Sequence, residues 1–100
     1  MYGRELEILN ILQGAEKPLI VTDIVNMQPD LTHSTVTTVL RKLLREGLVE
    51  VDGSVHSGKV PSRTFKCTDD AKDSVLRYYK TLFQQTNNIV TAEDILALLK

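Results

Sequence analysis

Tryptophan is absent from this 100-residue chain, and only five of its residues are aromatic. A protein that grips single-stranded nucleic acid by stacking bases needs more ring surface than that, which argues against such a role. The single cysteine, Cys67, excludes an internal disulfide and suits a reducing compartment. No apolar run approaches the ~20 residues of a membrane span. The start, MYGRELEILN, places acidic residues early and lacks the apolar core of a secretory leader. Gly-rich phosphate loops, Ser/His/Asp arrangements and convincing carboxylate pairs are all missing. The two histidines, His33 and His56, stand too far apart for a local ligand motif. These absences lead to the expectation of a cytoplasmic protein that is not an enzyme, with no catalytic residues, metal or cofactor and no membrane partner.

What is present is one domain's worth of ordinary globular sequence with uneven charge. The net charge is −1, but residues 32–66 hold six Lys/Arg against three Asp/Glu, a local +3 that leaves −4 for the rest. Such asymmetry hints at one face meant for a polyanion on an otherwise acidic body.

Hydrophobic spacing predicts a helix over residues 3–13, from Leu6, Ile8, Leu9, Ile11 and Leu12, stopped at Gly14. A short helix follows over Val21–Met27, ended by Pro29. Thr32 is placed to cap a third helix that runs to about Glu46, with Gly47 as its left-handed exit. The period then changes. Strands start at Leu48–Val51 and return at Thr64–Cys67, and the Gly- and Ser-rich stretch DGSVHSGKVPSR between them reads as a flexible loop. Phe65 and Cys67 share one face of the return strand, so a buried structural thiol is expected. Thr68 reads as the N-cap of a helix over 69–85, and Thr91 with Asp94 as a capping box for a last helix near the end. The fold class is mainly α with a small β-hairpin: a winged helix-turn-helix over residues 1–68, and a C-terminal helical dimerisation region over 69–100.

The third helix has an odd composition. Thr35 to Val39 is a β-branched run, mildly unfavourable in a helix. Val36, Val39, Leu40, Leu43 and Leu44 make its buried stripe, which leaves Ser34, Thr37, Thr38, Arg41, Lys42 and Arg45 away from the core. Stability alone would favour better helix formers there. Short hydroxyl side chains let a helix approach a surface closely while donating to phosphates and base edges, and the basic residues suit flanking phosphates. The wing adds Lys59 and Arg63, with His56 beside them. Double-stranded DNA is the expected partner.

Helix 69–85 carries two apolar rows, Leu76, Tyr79 and Phe83 beside Val75, Tyr78 and Leu82; Ile95, Leu96, Leu98 and Leu99 extend the apolar surface. One row can pack on the winged domain, and the second suggests a partner. The expected dimer interface comprises Leu76, Tyr79, Leu82, Phe83, Ile95, Leu96 and Leu99.

The stretch STVTTVLRKLLREGLVE, followed by a short charged wing and an extended C-terminal helix, resembles the penicillinase-repressor family (BlaI/MecI), which includes copper-responsive repressors of the CopY type; RELEILNIL resembles its first helix. The likeness implies a homodimeric winged-helix repressor acting on a pseudo-palindromic operator, with its last helices as the interface. It also implies that Ser34, Thr35, Thr37, Thr38, Arg41 and Lys42 face DNA. The copper branch has a C-terminal cysteine cluster, whereas Cys67 here is alone, which disfavours copper sensing. The wing segment GKVPSRTFKCT is also similar to PadR-like winged regulators. A PadR-like or phage-type regulator therefore stands as an alternative, as does a winged-helix protein-interaction module, which the small net charge would suit.

Overall fold

The computed structural model describes residues 3–57 and 60–100. Its elements follow in the order α1 (Gly3–Gly14), α2 (Val21–Met27), α3 (His33–Arg45), β1 (Val49–Ser57), β2 (Val60–Cys67), α4 (Asp69–Thr86) and α5 (Ala92–Leu98). The fold is a winged helix-turn-helix with a two-stranded antiparallel wing. Three helices and the base of the wing share one core, in which Ile8, Ile24, Leu31, Val36, Leu40 and Leu43 are almost wholly buried. None of the described helices is long and apolar enough to cross a membrane.

Local chemistry sets the helix limits. The Thr32 hydroxyl accepts from the Thr35 amide at 3.1 Å, satisfying a first-turn donor of α3. At the other end Gly47 adopts φ 75°, where an L side chain would be strained. Its amide donates to the Leu44 carbonyl at 3.1 Å and that of Leu48 to Leu43 at 2.9 Å, a paired closure that turns the chain straight into β1. The expected capping box of α5 is present, with the Asp94 amide on the Thr91 hydroxyl at 3.2 Å and the Thr91 amide on Asp94 Oδ2 at 3.0 Å. The Thr91 amide and hydroxyl hold the Asp94 carboxyl below its ordinary range.

Two expectations need correction. Thr68 occupies the N-cap position of α4, but its hydroxyl does not cap the helix; it donates to the Gly47 carbonyl at 2.6 Å, tying the start of α4 to the exit of α3. The stretch read as a flexible loop is instead mostly strand, paired from Val49↔Cys67 out to Ser57↔Val60. Val51, Val55 and Thr64 favour the pleat, and Pro61 is tolerated because a two-stranded sheet consists only of edges. The odd residue is absorbed by a bulge at Asp52, between the pairs Val51↔Phe65 and Gly53↔Thr64. Just ahead of α2, Leu19 forms a one-residue antiparallel bridge to Phe65, with bonds of 3.0 and 2.8 Å. That bridge pins the start of α2 against the wing.

Beyond its first turns α4 leaves the body. Ala71 is its one buried residue and Val75 packs on the core, while Leu76, Tyr79 and Leu82 stay exposed. The molecule is accordingly long, 55 × 25 × 24 Å.

Candidate nucleic-acid interface

The outward row of α3 consists of Ser34, Thr38, Arg41 and Arg45, all exposed, opposite the buried Val36, Leu40 and Leu43. Helical spacing divides the other candidates between its two flanks. Thr37 lies half-buried on the side of the wing, whereas Thr35 and Lys42 lie on the side of α1 and α4. The α3 candidates are thus spread over the outward row and its two flanks. Thr35 is engaged in the N-cap, its hydroxyl accepting from Thr32 at 3.0 Å. The Lys42 ammonium is 2.6 Å from Glu5 Oε1, a carboxylate buried within α1. A carboxylate taken into the core needs a compensating charge, so Lys42 serves the α1–α3 contact before any phosphate.

Glu5 is the residue that sequence reasoning passed over. It stands at the spacing Glu5, Ile8, Leu9, Leu12, the same row as the core. A charged residue in an apolar row was the available signal.

Between α2, α3 and the wing lies a cleft of about 440 Å³. His33, Thr37 and Arg41 follow one another at i, i+4 and i+8 along its α3 wall, Thr22 comes from α2, and Ser62 and Arg63 come from β2. Its floor is apolar, with Leu40 and Phe65. No carboxylate lines it. The other three principal clefts among the described residues each carry at least two: Glu5 and Glu46, Glu7 and Asp69, or Glu50, Asp69 and Asp70. Thr22 and Ser62 were not singled out from the sequence, since neither belongs to a motif and only the tertiary fold brings them to α3.

The register of the wing decides which of its residues join this side. Paired residues share a face, so Val51 lies with Phe65, Ser54 with Arg63 and His56 with Pro61. Arg63 and His56 therefore share the Phe65 face. Lys66 lies on the other, held by Asp52 at 3.0 Å and Glu50 at 3.4 Å, contacts that raise its pKa. The predicted contact Lys59 lies outside the described residues. Cys67 is half-buried and donates to the Leu9 carbonyl at 3.4 Å; burial pushes its thiol up. That geometry is structural. Among the described residues no group of His, Cys, Asp and Glu could hold a metal ion.

Of the expected interface residues, Leu76, Tyr79, Leu82, Leu96 and Leu99 are exposed; Phe83 and Ile95 are less so. Tyr78 turns back toward Glu5 and Lys42 and meets Tyr79 edge-on, with ring centroids 6.4 Å apart.

No protein-family model and no curated protein matches the chain. Solved structures do share its fold. Bacillus subtilis PadR in complex with operator DNA superposes with a TM-score of 0.66 at 21% identity, over 79% of this chain and 48% of that one. The present chain thus spans about half the length of that protein. A PadR family transcription regulator from Clostridium difficile gives a TM-score of 0.58 at 17% identity, covering 82% of this chain and 95% of the other. The activation domain of the phage T4 transcription factor MotA gives 0.62 at 21%, covering 100% of this chain and 86% of that domain.

Proposed function

We propose that the chain is a sequence-specific DNA-binding transcriptional repressor that acts as a homodimer on a pseudo-palindromic operator. The observation that carries this reading is the carboxylate-free cleft beside the exposed Ser34, Thr38, Arg41 and Arg45 row. Hydroxyls on that row would read base edges in the major groove, while Arg41, Arg45 and Arg63 would hold phosphates. Of the families that the sequence resembles, the PadR-like one has the better support, because PadR-type regulators share the fold and one of them was solved on operator DNA. The penicillinase-repressor resemblance has no counterpart among the neighbours described above.

The dimer rests on the arm. Leu76, Tyr79, Leu82, Ile89, Ile95, Leu96, Leu98 and Leu99 are all among the exposed large hydrophobics.

A selection of bound sequences from random duplexes tests the reading, together with sedimentation at micromolar concentration. Enrichment of paired half-sites one helical turn (~10 bp) apart, or a multiple of it, is expected, with a dimer in the centrifuge. A monomer that enriches no sequence would overturn it. A protein-interaction module is the second reading, favoured by the MotA activation domain, whose likeness extends over the whole chain, α5 included. Capture of a protein partner without salt-dependent duplex binding would select it.

A further inference from the structure

We infer that two copies of the chain join by an antiparallel pairing of their α4 helices, crossing at Leu76, in which each Asp73 meets the partner's Lys80. The inference rests on the homodimer reading and supplies the surface and the register that it leaves open.

The charge of α4 falls into two blocks. Asp69, Asp70 and Asp73 stand with Lys72 at its start, a net −2; from Ser74 to Thr86 there are Arg77 and Lys80 and no acid, a net +2. The helix dipole accounts for Asp69 and Asp70 in the first turn, but its pull fades within a turn of the ends, and the last turn of α4 holds no basic residue. Pairing inside the chain does not account for the rest. Among the described residues, Asp73 and Lys80 make no ion pair with any part of their own chain. A helix with oppositely charged halves is complementary to an antiparallel copy of itself, because a two-fold axis sets the first half of each against the second half of the other.

Helical phase fixes the register. Asp73 and Lys80 stand one turn to either side of Leu76 on one flank of it, and Lys72 and Tyr79 do the same on the other flank. All five are exposed, on the side of α4 away from the buried Ala71. With Leu76 on the two-fold axis, each Asp73 comes opposite the partner's Lys80, and each Lys72 opposite the ring of the partner's Tyr79, an ammonium against an aromatic surface. Every contact is made twice. A parallel pairing would instead set each charge against its own copy. The antiparallel register also brings the partner's Phe83, two turns beyond Leu76, level with Asp69. There it lies beside the cleft of about 660 Å³ in which Leu6 and Leu9 of α1 meet Val75. The arm of each copy thus returns to the body of the other.

Sedimentation equilibrium of the full chain at low ionic strength tests the pairing, with Asp73→Lys and Lys80→Asp measured alone and mixed in equal amounts. Either variant alone turns both ion pairs into like-charge contacts and should raise the dissociation constant roughly tenfold. In the mixture one protomer offers two lysines and the other two aspartates, so both pairs are restored and dimers should re-form with nearly wild-type affinity. Circular dichroism melts on each variant establish that the winged body stays folded. Variants that associate as tightly as the wild type overturn the inference. So does a mixture no tighter than its components, the result expected if α5 of the same chain or an unrelated protein covers this face. A wild-type chain that stays monomeric at every concentration removes the homodimer reading and this inference together. Rescue by mixing in a dimer that binds no duplex sustains the inference and removes only the DNA reading.

Discussion

The winged body and the C-terminal arm treat their apolar residues in opposite ways. In the body, Ile8, Ile24, Val36, Leu40 and Leu43 are at most 1% exposed; in the arm, Tyr79 is 62% and Leu98 83% exposed. Both regions are well-formed helix, with caps and amphipathic spacing in each. The difference lies in what covers them: the body supplies its own cover, and the arm leaves its apolar residues open. Amphipathic spacing therefore announces that a face will be buried, but not whether the same chain buries it.

The largest expected effect separates the two regions directly. Leu43→Ala should cost about 2–5 kcal/mol in urea unfolding, because the body cannot refill the cavity. Tyr79→Ala in dilute protein should stay within about 0.5 kcal/mol, yet raise the dissociation constant of self-association measured by sedimentation. Equal stability losses would erase the distinction between body and arm.

Removing residues 87–100 comes next. The remaining chain should melt as the full one does, since no residue of α5 belongs to the core. Its affinity for a two-half-site duplex should drop on the order of a hundredfold, as the second recognition helix loses its tether. Unchanged affinity by gel shift would detach the arm from DNA binding.

A finer contrast lies between neighbours on α3. Arg41→Ala should leave stability unchanged and lower the log–log salt slope of DNA binding by about 0.9. Lys42→Ala should do the reverse, costing about 2 kcal/mol by stranding the Glu5 carboxylate, with little change in slope. That cost lies below the range for fully buried pairs because the Lys42 side chain is partly exposed. Salt titrations and melts on the two variants check both halves.

The smallest effect belongs to α5. Asp94 has its carboxyl pKa lowered by the Thr91 amide and hydroxyl. A depressed carboxylate lends stability above its unfolded pKa and loses it as pH falls through the folded value. Helicity of α5, followed by NMR, should thus hold at neutral pH and fray below about pH 4, and Asp94→Asn should fray already at pH 7.

Much of this was legible in the sequence because it is locally encoded. The span of α2, the Thr32 cap, the Gly47 exit and the Thr91–Asp94 box all depend on residues within a few positions of one another. The Thr-rich face of α3 was also legible, as a departure from good helix formers. What escaped depends on distant partners. The pairing of Lys42 with Glu5 joins residues of different helices, and the Leu19–Phe65 bridge has no periodicity to announce it. The length of the wing was misjudged because Gly and Ser were read as loop, while the alternating Val51 and Val55 were given too little weight. The cleft is the extreme case, since its six polar lining residues come from three elements and become a group only in the fold.

The bulge at Asp52 works as a change of phase. At the base of the hairpin, odd-numbered residues of β1 share the face of Phe65, as Val49, buried in the core, and the exposed Val51 do. One unpaired residue later the parity is reversed: Ser54 and His56 take that face, and Val55 is sent to the other. Had the alternation run on uninterrupted, the packing demands of the core would have dictated which residues the wing tip presents beside Arg63. The slipped step separates those two decisions. The base of the hairpin answers to the body, and the tip can be rewritten for whatever lies against it without disturbing a single core contact.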